Sequence, residues 1–155
     1  MEIYRRYHWA ILVRPKDIRR IAESTSFDVT DGIRLEGGQA GNLNPNQEWW
    51  FRARTPVNPL GTGHFLVAVI IGKLPQGVTV DDVRTLLLDV PLPCKGVIPE
   101  QRCSFRTSRA IARLQQAGYV KHGDVEKIMG TVLKAGDKVC KEGPPKRVED
   151  RFLDL

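Results

Sequence analysis

The chain has 155 residues, a hydrophobic content of 41% and a formal net charge of +6. This length is typical of one domain with one core, and the hydrophobic content argues against disorder over most of the chain. No apolar run reaches the roughly 18 residues of a transmembrane helix, and the N-terminal residues lack the apolar segment of a signal peptide. We therefore expect a cytoplasmic protein without a membrane span.

The cysteine content argues against a disulfide framework and against a structural zinc site. The chain has three cysteines (Cys94, Cys103 and Cys140), and none of them forms a Cys-x-x-Cys motif. Free thiols are the simpler interpretation, and no metal or cofactor is implied. The positive charge is spread along the chain, which favours a solvated basic surface over a nucleic-acid interface.

Two predicted strands at the start of the chain carry the first candidate site residues. Residues 7–13 are mostly aromatic and aliphatic, and Pro15 terminates the segment. We therefore expect a central, buried strand with His8 embedded in it. Residues 26–30 form a second predicted strand, which Asp31-Gly32 ends with a turn signal. If the two strands pair as a hairpin, Asp28 lies near His8.

The middle of the chain alternates between turn-rich and strand-like segments. Polar and apolar side chains alternate in residues 48–55, which predicts a third strand. The mostly apolar residues 65–72 predict a buried fourth strand. Residues 16–25 fit either a helical turn or a hairpin loop. Residues 37–46 are rich in glycine and asparagine but match no phosphate-binding pattern, so we interpret them as a surface loop bordering a site.

Three helices are predicted in the second half of the chain. The first covers residues 79–88, with Thr79 as the cap. The second begins with Cys103 or Ser104 at the cap position and ends at Gly118. The third covers residues 124–139. The expected fold is therefore α+β, with an antiparallel sheet of four or five strands against two or three helices. Residues 1–140 form the predicted domain, and residues 141–155 form a basic tail.

Cys103 has the strongest chemical signal in the sequence. A thiol at a helix N-terminus faces unpaired backbone N–H groups and the positive end of the helix dipole, and both favour the thiolate. Arg102 and Arg106 act in the same direction. This environment is typical of a cysteine nucleophile.

A nucleophilic cysteine needs a base, and the base needs a group that orients it. We assign Cys103 as the nucleophile, His8 as general base and then acid, and Asp28 as the residue that orients the imidazole. The backbone N–H of Cys103 is expected to contribute to an oxyanion hole. The predicted catalytic set is therefore Cys103, His8 and Asp28.

Other residues compete for these roles, and each assigned residue also has an ordinary structural explanation. Cys94 lies in a proline-rich connector and Cys140 near a helix C-terminus, so both are weaker nucleophile candidates than Cys103. His64 precedes a buried strand, and His122 lies in a predicted loop. A single histidine in a strand is usually a core residue, and a single cysteine is usually a small buried hydrophobe.

The His-Trp strand at residues 8 and 9 and the late helix beginning at Cys103 resemble the circularly permuted papain-like group. This group includes relatives of lecithin retinol acyltransferase and of NlpC/P60 peptidases. The chain is more closely similar to small fungal proteins with a His-Trp-Ala-Leu strand, a Phe-His-Val-Thr strand and an Asn-Cys-Gln-x-Trp helix. The resemblance covers about residues 7 to 120 and implies a permuted papain-like fold with Cys103 and His8 in the site.

The chain departs from this pattern at three places. Arg102 replaces the asparagine before the cysteine, Asp28 replaces the histidine of the second strand, and the tryptophan after the cysteine is absent.

We predict cysteine-dependent acyl transfer or amide or ester hydrolysis through a thioester, as in a fungal biosynthetic pathway, on a small-molecule or acyl substrate. An acidic carrier protein or an aminoacyl-tRNA is a candidate donor, and the oligomeric state stays open. The alternatives are a non-catalytic binding protein on the same scaffold and a basic nucleic-acid-binding module.

Overall fold

The computed structural model describes residues 7–155, which form an α+β fold with a small antiparallel sheet and several helices. The strands are β1 (Ala10–Val13), β2 (Ser24–Thr30), β3 (Trp50–Val57), β4 (Ala68–Ile70) and β5 (Phe152–Asp154). The helices are α1 (Val80–Leu88), α2 (Cys103–Gln116) and α3 (Val125–Glu142). Within residues 7–155, no helix is long and apolar enough to cross a membrane.

The first three strands form an antiparallel sheet in the order β1-β2-β3. Ala10 pairs with Asp28 on β2, and Asp28 pairs with Arg52 on β3. Because side chains alternate along a strand, Phe27 and Val29 face the helices and Asp28 faces the opposite side of the sheet. Our prediction that the first strand is central was wrong, since β2 is central and β1 lies at the edge with Ala10 exposed.

Helices α1 and α3 begin at a side-chain cap, whereas α2 begins differently from the prediction. Thr79 and Asp82 form a reciprocal capping box at α1, as predicted for the Thr79 cap, and Asp124 caps α3. At α2 the capping residue is Arg102, whose side chain makes no capping hydrogen bond, so Cys103 is the first helical residue rather than the cap. At the other end of α2, Gly118 adopts a positive φ of 73° while its N–H and that of Tyr119 bond to the carbonyls of Gln115 and Leu114.

The end of the chain packs against the predicted fourth strand. Residues that we predicted to be a basic tail contain a 3-10 helix (Val148–Arg151) and β5, and β5 pairs in parallel with β4 in a second, two-stranded sheet. Phe152 is buried and its ring stacks on Phe65 at 5.5 Å between centroids. This aromatic burial explains why the segment folds back. The predicted fourth strand therefore does not join the antiparallel sheet.

Two groups of buried side chains join the helices to one face of the antiparallel sheet. The first contains Trp9, Val29, Cys103, Ile111, Ile128, Met129 and Leu133. The second contains Phe27, Val83, Leu87, Val90, Ala110 and Leu114. Helix α2 contributes to both groups, so its position relative to β1 and β2 is fixed by packing along its length. This packing places the start of α2 beside residues 7–9, immediately before β1.

Candidate functional site

Cys103 lies at the start of α2 with its sulfur against the backbone of residues 7–9. The sulfur is 3.8 Å from the carbonyl oxygen of Tyr7, and the backbone N–H groups of Trp9 and Ser104 donate toward it. The His8 imidazole lies near enough to the sulfur to lower the pKa of the Cys103 thiol. The structure therefore brings together Cys103 and His8, which are far apart in the sequence.

His8 also contacts Asp28, the third predicted site residue. Its Nε2 is 2.7 Å from Oδ2 of Asp28, and the carboxylate is fully buried whereas half of the His8 side chain is exposed. Since Nε2 is bound to the carboxylate, Nδ1 is the ring nitrogen available to the Cys103 sulfur. Cys103, His8 and Asp28 thus form one connected series, with the imidazole between the thiol and the carboxylate.

Two arginines from β3 hold the Asp28 carboxylate. Nε of Arg52 donates to Oδ1 at 2.9 Å, and a terminal nitrogen of the same guanidinium donates to Oδ2 at 2.6 Å. Arg54, two residues along the same face of β3, reaches to 3.5 Å of Oδ2. Such paired Arg–carboxylate contacts fix the orientation of the carboxylate, which in turn fixes the orientation of His8.

These contacts shift the pKa values of all three site residues. The hydrogen bond to Asp28, followed by that to Cys103, raises the pKa of His8 to about 9 against the opposing effect of burial. Burial favours a higher pKa for Cys103, but the His8 side chain and the Trp9 N–H outweigh it, so the pKa lies below the usual thiol value. Burial also opposes ionisation of Asp28, yet Arg52 and His8 lower its pKa to about 2. The shifts of Cys103 and His8 are both in the direction of a thiolate–imidazolium pair.

The raised pKa of His8 predicts a pH-dependent stability. We expect the free energy of unfolding of the Cys103→Ala variant to fall as the pH rises from about 6.5 toward 9, because His8 holds its proton more tightly in the folded state than in the unfolded state. The Cys103→Ala background removes the opposing thiol titration while the hydrogen bond to Asp28 remains. Urea unfolding at several pH values measures this slope.

The control for this measurement is the Cys103→Ala/His8→Gln double variant, in which the imidazole is also absent. Its stability should not show the decline between pH 6.5 and 9 that the single variant shows. An identical decline in both variants would assign the pH dependence to another group.

Arg106 lies under the site and has no charged partner among residues 7–155. Its residue exposure is 3%, a terminal nitrogen donates to the carbonyl of Leu87, and its guanidinium lies 4.6 Å from the centre of the Phe51 ring. Its Nε has no hydrogen-bond partner among the described residues. Desolvation lowers the pKa of Arg106 to about 10 although the Asp28 charge opposes this shift. Arg106 is therefore a buried cation that is held by the Phe51 ring and the Leu87 carbonyl.

The competing residues lie elsewhere. His64 and His122 are exposed, and Cys94 and Cys140 are exposed thiols. Cys140 lies 3.6 Å from the hydroxyl of Tyr7, which donates to Asp137 at 2.6 Å. Among residues 7–155, no group of three or more histidine, cysteine or acidic side chains is placed to hold a metal ion.

The two segments that flank the site are connected by one lysine. Lys95, in the connector before α2, donates to the carbonyl of Gln47 and lies 3.5 Å from the carboxylate of Asp31. Asp31 precedes and Gln47 follows the predicted glycine- and asparagine-rich loop at residues 37–46. A groove of about 200 Å³ follows along the connector and the first turn of α2, and it is lined by Val97, Ile98, Pro99, Glu100, Gln101 and Phe105.

We did not predict Arg52 and Arg54 as site residues, and we did not assign Arg106 to the region of Asp28. The alternating pattern Trp50-Phe51-Arg52-Ala53-Arg54 did contain a signal, because it puts the two arginines on one face of a strand. The register that aligns Arg52 with Asp28 was not available from this pattern.

Comparisons with known proteins identify the family of the chain. No curated protein and no solved structure matches it. A family model described as "Family of unknown function (DUF6914)" matches residues 2–151. Because this match covers nearly the whole sequence, the chain belongs to the DUF6914 family, whose function is unknown.

Proposed function

We propose that this protein is a cysteine-dependent acyltransferase or hydrolase that works through a thioester on Cys103. The support comes from the contacts of His8, which joins the Cys103 sulfur to the buried carboxylate of Asp28. Cysteine catalysis requires this combination of a thiol, a proton-transferring imidazole and a group that orients the imidazole. The permuted papain-like relationship belongs to the same proposal and has the same support.

In the first step, the Cys103 thiolate attacks the carbonyl carbon of an acyl substrate, and a carbon–sulfur bond forms. The carbonyl electron pair moves onto oxygen and returns as the bond to the leaving group breaks. The His8 imidazolium donates its proton to the leaving amine or alcohol, which leaves a thioester and a neutral imidazole. In the second step, His8 takes a proton from water or from an acceptor nucleophile that attacks the thioester, and the thiolate is released.

Several contacts favour the charged state that this reaction needs. The Trp9 and Ser104 N–H groups stabilise a negative sulfur, and Cys103 as the first helical residue lies at the positive end of the α2 dipole. A groove lined by residues 97–101 and Phe105 lies next to the start of α2.

The nucleophile can be tested by alkylation at different pH values. In a Cys94→Ser/Cys140→Ser background, we expect iodoacetamide to modify Cys103 with a midpoint below the usual thiol pKa. The His8→Ala change should raise this midpoint, because burial raises the pKa of Cys103 and the imidazole that lowers this pKa is then absent. At pH 6.5 the rate should fall by about tenfold for each unit by which the midpoint rises.

The control is a Cys103→Ser/Cys140→Ser variant, in which the exposed Cys94 reports alkylation of a thiol without these contacts. A change of the Cys94 rate on replacement of His8 would indicate a general structural effect. A Cys103 midpoint equal to that of an ordinary thiol, in the presence of His8, would contradict the proposed nucleophile.

One observation favours the second candidate, a non-catalytic binding protein on the same scaffold. Cys103 has a residue exposure of 9% and belongs to the hydrophobic cluster that contains Trp9 and Val29. A buried cysteine of this kind often has only a packing role. Slow, pH-independent labelling of Cys103 would support this candidate over the enzyme.

A further inference from the structure

The carboxylate of Asp28 has more positive charge around it than it can neutralise. Its two oxygens accept three hydrogen bonds at 2.9 Å or less, two from Arg52 and one from His8. A thiolate on Cys103 balances the charge of an imidazolium on His8, so Asp28 is left to balance the arginines alone. Arg52 and Arg54 bring two positive charges against this one carboxylate.

Arg54 is the more exposed of these two arginines, and its guanidinium makes no hydrogen bond within residues 7–155. Its distance of 3.5 Å from Asp28 is that of an ion pair and exceeds an ordinary hydrogen bond, whereas Arg52 occupies both carboxylate oxygens. Within residues 7–155, Arg54 has no other ion-pair partner, and 44% of its side chain is exposed. A guanidinium has five N–H donors in a planar arrangement that suits a carboxylate or a phosphate.

Arg54 is also close to the reacting atoms through a short series of contacts. The Oδ2 atom that lies 3.5 Å from Arg54 is the atom bound to His8. One carboxylate oxygen therefore separates the guanidinium from the imidazole that lowers the pKa of Cys103. The small, exposed residue Ala10 lies opposite Asp28 on the neighbouring strand, so this side of the sheet is open beside the carboxylate.

From these contacts we infer that Arg54 binds an anionic group of the substrate. The substrate class is an acyl compound that has a carboxylate or phosphate a few bonds from its reacting carbonyl group. This inference rests on the proposed function for the acyl part of the substrate, whereas the anion site itself depends only on the arginines. Arg52 has a different role, because it donates to both oxygens of Asp28 and so positions the carboxylate.

Two alkylating reagents of similar size test the anion site without requiring turnover. Iodoacetate is negatively charged and iodoacetamide is neutral, and both react with Cys103 by displacement of iodide. In the Cys94→Ser/Cys140→Ser background, we expect the ratio of the iodoacetate rate to the iodoacetamide rate to exceed the ratio for N-acetylcysteine. The Arg54→Gln change should lower this ratio by about fivefold, and added salt should lower it as well.

The ratio divides out any change in the thiolate fraction, so it reports the attraction of the negative charge. The matched control is Arg84→Gln, which removes the same charge from an exposed position on α1 and should leave the ratio unchanged. Equal ratios in the unmodified and Arg54→Gln proteins, or an equal loss in the Arg84→Gln protein, would overturn the inference.

Protection experiments then distinguish the two anion chemistries. Succinate that slows iodoacetamide modification in the presence of Arg54, but not in the Arg54→Gln protein, indicates a carboxylate site, and the same result with inorganic phosphate indicates a phosphate site. Failure of both anions to protect would overturn the assignment of the substrate class. If the iodoacetate-to-iodoacetamide ratio depends on Arg54 but no acyl-enzyme forms, the anion site is retained and the proposed acyl chemistry is rejected.

Discussion

We expect the Cys103→Ser variant to form an acyl-enzyme from p-nitrophenyl acetate on the order of a thousandfold more slowly than the unmodified protein. The serine hydroxyl cannot ionise near neutral pH, whereas the contacts of His8 and Trp9 lower the pKa of the thiol. The His8→Ala variant should also be slowed, since the imidazole both lowers that pKa and donates the proton to the leaving group. The burst of p-nitrophenol and the mass of the acetylated Cys103 peptide measure the reaction.

The Cys94→Ser variant is the control, because it removes an exposed thiol outside the predicted site. It should retain the burst and the acetylated Cys103 peptide. Retention of the full burst by the Cys103→Ser variant would reject the thioester, whatever the alkylation behaviour of the cysteine.

Replacement of Asp28 by Ala is expected to have the largest effect on stability, a loss of about 3 kcal/mol in the free energy of unfolding. The change removes a fully buried carboxylate that Arg52 and His8 contact and that Arg54 approaches. Arg106 would also lose the negative charge that raises its pKa. Partial exposure of Arg52 and Arg54 allows these side chains to recover some hydration, so the loss should fall at the lower end of the range for buried ion pairs.

Asp17→Ala is a suitable comparison because Asp17 also pairs with an arginine. Its oxygen is 2.9 Å from Arg19, but both side chains are exposed to solvent. The free energy of unfolding should therefore fall much less than in Asp28→Ala, because this variant loses only a surface ion pair and the side-chain cap of the 3-10 helix at Ile18–Glu23. Similar losses for Asp17→Ala and Asp28→Ala, measured by urea unfolding, would show that burial of the Asp28 carboxylate is not the cause.

Local patterns in the sequence predicted the elements that local chemistry determines. Thr79 begins α1 and Gly118 closes α2 because side-chain oxygens and left-handed glycines satisfy backbone groups within a few residues. The hairpin that aligns β1 with β2 also follows from neighbouring segments, and it explains why His8 and Asp28 could be predicted as a pair.

Contacts between distant segments were the part that sequence patterns could not provide. The pairing of β4 with β5 depends on Phe152 packing against Phe65, and neither segment contains information about the other. The role of Arg52 depends on the register between β2 and β3 across the long loop that joins them. A one-residue shift would place Arg52 on the other face of the sheet, so the alternating pattern alone could not assign it to Asp28.

The contact between the Cys103 sulfur and the Tyr7 and Trp9 backbone also affects how the sheet meets other chains. An unpaired strand edge is a template for the addition of a foreign strand and for aggregation. The start of α2 lies against the backbone of Tyr7, next to the outer strand β1, so a foreign peptide would have to displace the Cys103 side chain to pair there. The same cysteine therefore also protects this part of the molecule from unwanted strand addition.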